Sequence, residues 1–307
     1  MQSANQAKLN RIAVMSLTFD KILKTGMGPP PDPARTLDIM DLPQMVADRI
    51  GIHRLELQHS HFLSTEAAYL KDLRDRIAKA RSQLVQINLE FGGSNVSAGG
   101  FSARAQAIDL TKQWIEHAEA LGCSRVMINQ GSLAAEVRPN AIEALKILAD
   151  YGKAHKVAVS VENRDNGVVP PPPPPVAPPP TAPPGDPSAA GRGRGGGGGG
   201  RGAAGPPPPP ATWQVVVEVI KAAGIAATPN IGNFPNETER DAGLRALYPL
   251  SPGTCHCPSD PQKYSLANAL KISKDVGYKG LFSIQADSPS DPYAAAKAIL
   301  DELLKNI

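Results

Sequence analysis

A single pattern recurs along the chain: a short apolar run typical of a buried strand is followed by a segment with helical spacing. Eight such units can be traced. Strands that alternate with helices predict a parallel sheet, and this number of units predicts a closed (β/α)8 barrel, an α/β fold. Several apolar runs end in one polar residue, as VAVSVE does at Glu162. Because the carboxyl ends of all strands meet at one mouth of such a barrel, we expect these polar residues to form the functional site.

The predicted elements follow one another along almost the whole chain. The predicted strands span 11–17, 53–57, 84–90, 125–129, 157–162, 225–231, 254–257 and 280–284. The predicted helices span 41–50, 64–81, 102–121, 139–153, 213–223, 237–247, 264–275 and 292–304. A doubly wound sheet is the alternative arrangement of such units, but no G-x-G-x-x-G follows any predicted strand. The barrel is therefore the preferred prediction.

A low-complexity tract interrupts this pattern after the fifth predicted strand. Residues 168–210 hold most of the excess among 31 prolines and 28 glycines. Such a tract has too little apolar surface to offset its ordering entropy, so we expect it to be disordered. Without it about 260 residues remain, close to the roughly 250 of a (β/α)8 barrel. We therefore predict one domain, 1–307, with 168–210 as a loop insertion. Its RGRGGGGGGRG is similar to an RGG-type nucleic-acid segment, but it lacks interleaved aromatic residues, which favours a tolerated expansion.

Composition restricts the partners and the environment of the chain. The net charge of +3 is too small to indicate a nucleic-acid or membrane partner. Three cysteines without C-x-x-C spacing indicate neither a disulfide framework nor a zinc knuckle. No run of about 18 apolar residues exists, and the first residues, MQSANQAKLNR, lack the apolar core of a signal peptide. We expect a cytoplasmic protein without a transmembrane helix; a homo-oligomer is compatible with the sequence.

Four short motifs in order resemble one family. They are SVEN at Glu162, PNIGNFP around Asn230, TCHCP at His256 and FSIQ at Gln285. Together they are similar to the sugar-phosphate isomerase/epimerase family, the xylose isomerase-like TIM barrels. In that family the four positions are normally Glu, Asp, His and Glu, and they bind one divalent cation (manganese, magnesium, cobalt or zinc). The resemblance implies that all four residues are candidate metal ligands, and that Glu162, His256 and Gln285 are candidate catalytic residues.

The chain departs from the family pattern at two of these four positions. Asn230 and Gln285 replace carboxylates, so the set keeps one negative charge, on Glu162. Amide oxygens ligate hard cations, but each lost carboxylate removes several kcal/mol of gross attraction at an effective dielectric near 20. The resemblance therefore implies a divalent metal that these residues would hold weakly. Gln285 also has no useful pKa for proton transfer; Asp287, on the same face, is the alternative base.

Further polar residues near the strand ends are candidates for substrate binding. Glu56 and Glu90 end two strands, where a carboxylate can accept sugar hydroxyls or supply a base, or can form an ordinary rim ion pair. An arginine just after the fifth strand can hold a phosphate or carboxylate. Histidines in an H-x-H loop can approach the pocket or simply pack. The full set is Glu56, His59, His61, Glu90, Asn129, Asn163, Arg164 and Asp260.

Two functions follow from these residues. The first is a sugar isomerase/epimerase-like enzyme of carbohydrate metabolism that moves a proton beside a carbonyl in a small sugar, polyol or sugar phosphate, with or without a metal. The second is a metal-poor, catalytically impaired barrel that binds a carbohydrate and does not turn it over. A nucleic-acid-binding function is disfavoured by the near-neutral charge.

Overall fold

Eight parallel strands form one sheet in the computed structural model, which describes residues 2–25, 33, 35–91, 94–164, 212–258, 265–286 and 290–307. The strands are β1 (Ile12–Met15), β2 (Arg54–Gln58), β3 (Gln83–Leu89), β4 (Arg125–Ile128), β5 (Ala158–Glu162), β6 (Ala226–Thr228), β7 (Thr254–Pro258) and β8 (Leu281–Gln285). Neighbouring strands pair in the order β6-β5-β4-β3-β2-β1-β8-β7. The predicted (β/α)8 class is confirmed.

The two edge strands, β6 and β7, close the barrel through a single bridge. Asn230 pairs with His256 in parallel register. The His256 N–H donates to the Pro229 carbonyl at 2.7 Å, and the Ile231 N–H donates to the His256 carbonyl at 3.1 Å. The barrel therefore closes at two of the four residues that the sequence motifs identify.

Helices surround the sheet. They are α1 (Gln2–Leu9), α2 (Leu42–Ile50), α3 (Ala67–Lys79), α4 (Phe101–Ala120), α5 (Arg138–Ala154), α6 (Thr212–Ala223), α7 (Glu237–Leu247), α8 (Leu266–Asp275) and α9 (Pro292–Asn306). The sequence predicts all of them except α1, whose residues QSANQAKL have no apolar periodicity. Asp291 caps α9 by accepting hydrogen bonds from the Tyr293 and Ala294 N–H groups, both at 3.0 Å.

The inside of the barrel carries many polar residues, whereas its outer face is apolar. Glu56, Gln86, Ser160, Thr228 and Ser283 are all buried. They alternate with apolar residues that contribute to the hydrophobic core against the helices. Barrel interiors are usually filled by branched aliphatic side chains. The polar filling of this barrel continues directly into the residues at its mouth.

Two predictions concern parts of the chain beyond this description. Residues 168–210 and Asp287 lie outside the described residues, so a disordered insertion and an alternative base at that position stay predictions. Within the described ranges, no helix has both the length and the apolar character needed to cross a bilayer.

Candidate functional site

The four residues identified by the motifs converge at the carboxyl ends of β5 to β8. The Nδ1 atom of His256 lies 2.7 Å from Glu162 Oε1. Asn230 Nδ2 donates to the same oxygen at 2.8 Å and to Gln285 Oε1 at 3.1 Å. Each of the four is at least nine-tenths buried. They thus form one hydrogen-bonded cluster and are not four independent groups at a strand edge.

The orientation of the Asn230 amide is fixed by its neighbours. Its Oδ1 accepts a hydrogen bond from the Gly232 N–H at 2.8 Å. Its own backbone N–H donates to Asn163 Oδ1 at 2.6 Å. Rotating the amide by half a turn would set its NH2 group against the Gly232 N–H and its oxygen against the Glu162 carboxylate. Asn230 therefore presents hydrogen-bond donors, not a lone pair, to Glu162 and Gln285.

His256 lies between two buried carboxylates. Its Nε2 is 2.6 Å from Glu56 Oε1, and its Nδ1 faces Glu162 on the other side of the ring. Burial alone would lower the pKa of His256, but the charges and hydrogen bonds of the two glutamates outweigh it and raise the pKa to about 10. The ring is therefore an imidazolium that donates from both nitrogens.

The same contacts keep both glutamates ionised. Burial would raise the pKa of Glu162, but the hydrogen bond from His256 and the charges of Arg164 and His256 lower it to about 2. Burial would also raise the pKa of Glu56, but the charge and hydrogen bond of His256, together with the polar side chains of Ser283 and Asn88, lower it. We call Glu56, Glu162, Asn230, His256 and Gln285 the inner network.

Glu56 holds the imidazolium from inside the barrel. It is fully buried, and Gln86 Nε2 donates to its Oε1 at 2.7 Å, the same oxygen that contacts His256. Glu56 therefore exposes no carboxylate oxygen to solvent, and its predicted role in substrate binding stays a prediction. Sequence reasoning missed Gln86; the signal was available, since Gln86 and Asn88 alternate along β3 and thus share the face on which Glu90 follows directly after the strand.

Glu90 and Arg164 form a more accessible pair at the rim. Arg164 donates through Nε to Glu162, and its Nη1 lies 2.8 Å from Glu90 Oε1. Asn129 Nδ2 donates to the other Glu90 oxygen at 2.8 Å. The side chains of Arg164 and Glu90 are 34% and 22% exposed. We call Glu90 and Arg164 the rim pair.

The rim pair differs from the inner network in its electrostatics. Burial raises the pKa of Glu90, and the nearby charge of Glu162 raises it further, while Arg164 and Asn129 act in the opposite direction and do not cancel the increase. Burial would lower the pKa of Arg164, but Glu162 and Glu90 raise it. Glu90 is thus a partly accessible carboxylate that is easier to protonate than an ordinary glutamate, and it touches a permanent cation.

His59 lies in an aromatic cluster beneath the rim. Its ring packs edge-on against Phe91 and Trp114, with centroid distances of 4.9 and 5.6 Å. Its Nδ1 accepts a hydrogen bond from the Glu90 N–H at 3.2 Å, and burial lowers its pKa to about 4. The neutral ring therefore orients the backbone that carries Glu90. The contacts of His59 are those of a packed side chain, which is the second of the two roles considered above for the histidines of the H-x-H loop.

His61 and Asn163 are also positioned within the protein. His61 is fully buried, with Nδ1 2.8 Å from Ser16 Oγ and Nε2 3.1 Å from Asp20 Oδ1. Asn163 bonds to the backbone of Asn230 in both directions. Asp260 lies outside the described residues, so its predicted role in substrate binding stays a prediction.

The donor set does not fit the divalent cation that the resemblance implies. A metal ligand must present a lone pair, from a neutral imidazole nitrogen or from a carboxylate or amide oxygen. Both ring nitrogens of His256 are hydrogen-bonded to carboxylates, and Asn230 presents N–H groups. In the part of the chain that is described, no group of three or more His, Cys, Asp or Glu side chains is placed to hold a metal ion.

Comparison with known proteins supports the resemblance. Residues 46–170 match the family model of the xylose isomerase-like TIM barrels. The fold is similar to D-psicose 3-epimerase from Clostridium cellulolyticum H10, solved with D-tagatose, at a TM-score of 0.68 and 11% identity over 96% of this chain and 99% of that one. It is also similar to an L-ribulose 3-epimerase, at a TM-score of 0.65 and 12% identity over 96% and 94%.

A third similar structure is the D-allulose 3-epimerase from Methylomonas sp. in complex with D-allulose, with a TM-score of 0.63 and 12% identity over 97% of both chains. No curated protein sequence matches this chain. At such low identities the structural likeness establishes the fold, and it transfers no residue role.

Proposed function

We propose that this chain, which shares its fold with the xylose isomerase-like TIM barrels, acts on a small sugar or sugar phosphate by moving a proton beside a carbonyl group. The observation that carries the proposal is the rim pair. A partly exposed carboxylate with a raised pKa, Glu90, forms an ion pair with the guanidinium of Arg164 at the mouth, and Arg164 in turn forms an ion pair with Glu162. Solved structures of similar fold include sugar epimerases, which supports the substrate class.

Glu90 is the proposed base. General bases work best when their pKa lies near the working pH, and burial shifts Glu90 in that direction. Glu162 is less suited, because it is almost fully buried, its oxygens accept hydrogen bonds from His256, Asn230 and Arg164, and its pKa is about 2. In this proposal Glu162 and His256 hold Arg164 in place, so that its guanidinium can stabilise the negative oxygen that develops when the proton leaves.

One base favours isomerisation over epimerisation. A single carboxylate can remove a proton from one carbon and return it to the adjacent carbon on the same face, while the hydroxyl proton passes from one oxygen to the other through solvent water; together these transfers interconvert an aldose and a ketose. Inversion at one carbon needs two proton-exchanging groups on opposite faces. Gln285, at the position of the second family glutamate, cannot exchange protons. We therefore propose aldose–ketose isomerisation as the reaction.

The test is exchange of substrate protons with solvent. A panel of aldoses, ketoses and their phosphates is incubated with the protein in D2O, and deuterium uptake beside the carbonyl is followed by NMR. We expect uptake with at least one compound, and a rate at least about 100-fold lower for Glu90→Gln, as is typical when a general base is removed. Glu143→Gln, an exposed glutamate on α5, is the matched control and should behave like the wild type. Absence of exchange with every compound would contradict the proposal.

A carbohydrate-binding barrel without turnover is the second candidate. It is favoured by the inner network, in which Glu162 and His256 are hydrogen-bonded to each other and to further protein groups. This alternative predicts that calorimetry detects binding of a sugar that shows no deuterium uptake. Arg164→Gln should then weaken the binding, whereas Glu143→Gln should not.

A further inference from the structure

The inner network and the rim pair place hydrogen-bond donors where the family that the motifs resemble binds one metal ion. We propose that His256, which faces a glutamate oxygen through each ring nitrogen, and the guanidinium of Arg164 take the place of a divalent cation, so that this site is assembled without a metal. The inference concerns how the site is held together, and it does not depend on which reaction the site performs. It follows from the orientation of Asn230, from the two contacts of His256 and from the ion pairs of Arg164.

Asn230 is the first element of this substitution. Its amide nitrogen donates to Glu162 Oε1 and to Gln285 Oε1, at 2.8 and 3.1 Å. An aspartate at this position would bring a negative oxygen close to both acceptors, an arrangement that is stable only with a cation between them. The amide removes that requirement, because its own N–H groups neutralise the repulsion. The Gly232 N–H, bonded to Asn230 Oδ1 at 2.8 Å, keeps the amide in this orientation.

His256 is the second element. A histidine that ligates a metal uses one nitrogen as a lone-pair donor and donates from the other. Here both nitrogens face glutamate oxygens, at 2.7 Å for Glu162 and 2.6 Å for Glu56. Glu56 is essential to this arrangement, because it adds a second carboxylate on the side of the ring away from Glu162. The ring therefore bridges two anions and is not available to a cation.

Arg164 is the third element. Its guanidinium donates through Nε to Glu162, and its Nη1 lies 2.8 Å from Glu90 Oε1. A permanent cation of the chain itself therefore already offsets carboxylate charge at this site.

The experiment measures metal binding directly. Wild-type protein without an affinity tag is dialysed and its metal content is measured by mass spectrometry, and Mn²⁺ is then titrated in while free Mn²⁺ is followed by EPR. We expect well under one ion per chain, and a melting temperature that EDTA or Mn²⁺ changes by no more than about 1 °C, because a ligand that does not bind the native state does not stabilise it. One ion per chain that survives dialysis would overturn the inference, as would a melting temperature that EDTA lowers and Mn²⁺ restores.

A double variant tests the role of the amides. Asn230→Asp with Gln285→Glu should bind Mn²⁺ at least 10-fold more tightly than the wild type, and its melting temperature should become dependent on Mn²⁺. The matched control makes the same two chemical changes at exposed positions, Asn236→Asp with Gln44→Glu, and should bind no more Mn²⁺ than the wild type. Equal Mn²⁺ binding by the double variant and this control would contradict the role given to Asn230 and Gln285. If the double variant does not fold, the wild-type measurements decide the question alone.

These outcomes separate the inference from the proposed function. A wild-type protein that binds no metal and exchanges no sugar proton would contradict the proposed reaction and leave the inference intact. A wild-type protein that exchanges sugar protons only with a bound metal would support the reaction class and overturn the inference.

Discussion

The inner network and the rim pair share Glu162 but differ in what they leave open to solvent. His256 and Glu162 are almost fully buried, and each is hydrogen-bonded on more than one side. Glu90 and Arg164 lie within one ion pair of them, yet both retain exposed surface. Burial with saturated contacts fixes the charges of the first group, while partial exposure leaves the second group free to meet a ligand. We therefore expect the inner network to govern stability, and we propose that the rim pair carries the chemistry.

Removing the imidazolium should produce the largest loss of stability. His256→Ala leaves Glu56 and Glu162 buried without their shared cation, and breaking a buried pair in this way typically costs about 3–5 kcal/mol. Urea unfolding measures the loss. The control is His155→Ala, which removes a histidine from a surface pair with Glu119 at 2.7 Å and should cost less than about 1 kcal/mol. Equal losses for the two variants would contradict the distinction between inner network and surface.

Changing pH should produce the next largest effect, through the same residues. His256 has a pKa of about 10 when folded, against about 6.5 when unfolded, so its contribution to stability is complete below about pH 6.5 and is lost as the pH rises through 10. Glu162 has a pKa of about 2 when folded, so its contribution is present above its unfolded value near 4.5 and is lost as the pH falls through 2.

Unfolding free energies measured across this range should therefore be highest between about pH 4.5 and 6.5 and should decline on both sides. In His256→Gln the alkaline decline should become much shallower, because the titrating group is absent. An alkaline decline of the same size in the wild type and in this variant would mean that His256 is not the cation of the inner network.

Substituting Glu90 of the rim pair should have the smallest effect on stability. Glu90→Gln keeps the shape of the side chain and removes one partly exposed charge, so we expect a change of less than about 1 kcal/mol in unfolding free energy. The deuterium exchange rate should nevertheless fall as described above. A loss of stability as large as that of His256→Ala would show that Glu90 belongs functionally to the inner network.

Much of the site followed from the sequence because a parallel barrel brings all strand ends to one mouth. The ends of β5, β7 and β8 identified Glu162, His256 and Gln285. These inferences needed only the order of strands and their period of two residues.

The contacts within the site could not be predicted in the same way. Glu56 and His256 belong to strands that are not neighbours in the sheet, and their contact across the barrel depends on the stagger of all eight strands. The direction of the Asn230 amide depends on one backbone N–H group of the following turn. The sequence therefore identified Asn230 as a lost carboxylate, and only its surroundings identify it as a replacement for part of a metal site.

The protonation of His256 tests the account most directly. Nitrogen-15 NMR of the imidazole, assigned by comparison with His256→Gln, distinguishes a ring that is protonated on both nitrogens from a neutral ring. The account predicts that both nitrogens of His256 carry protons at pH 7 and retain them until the pH approaches about 10. A neutral ring at pH 7, with one nitrogen unprotonated, would contradict it, because His256 could not then be the cation that holds Glu56 and Glu162 together.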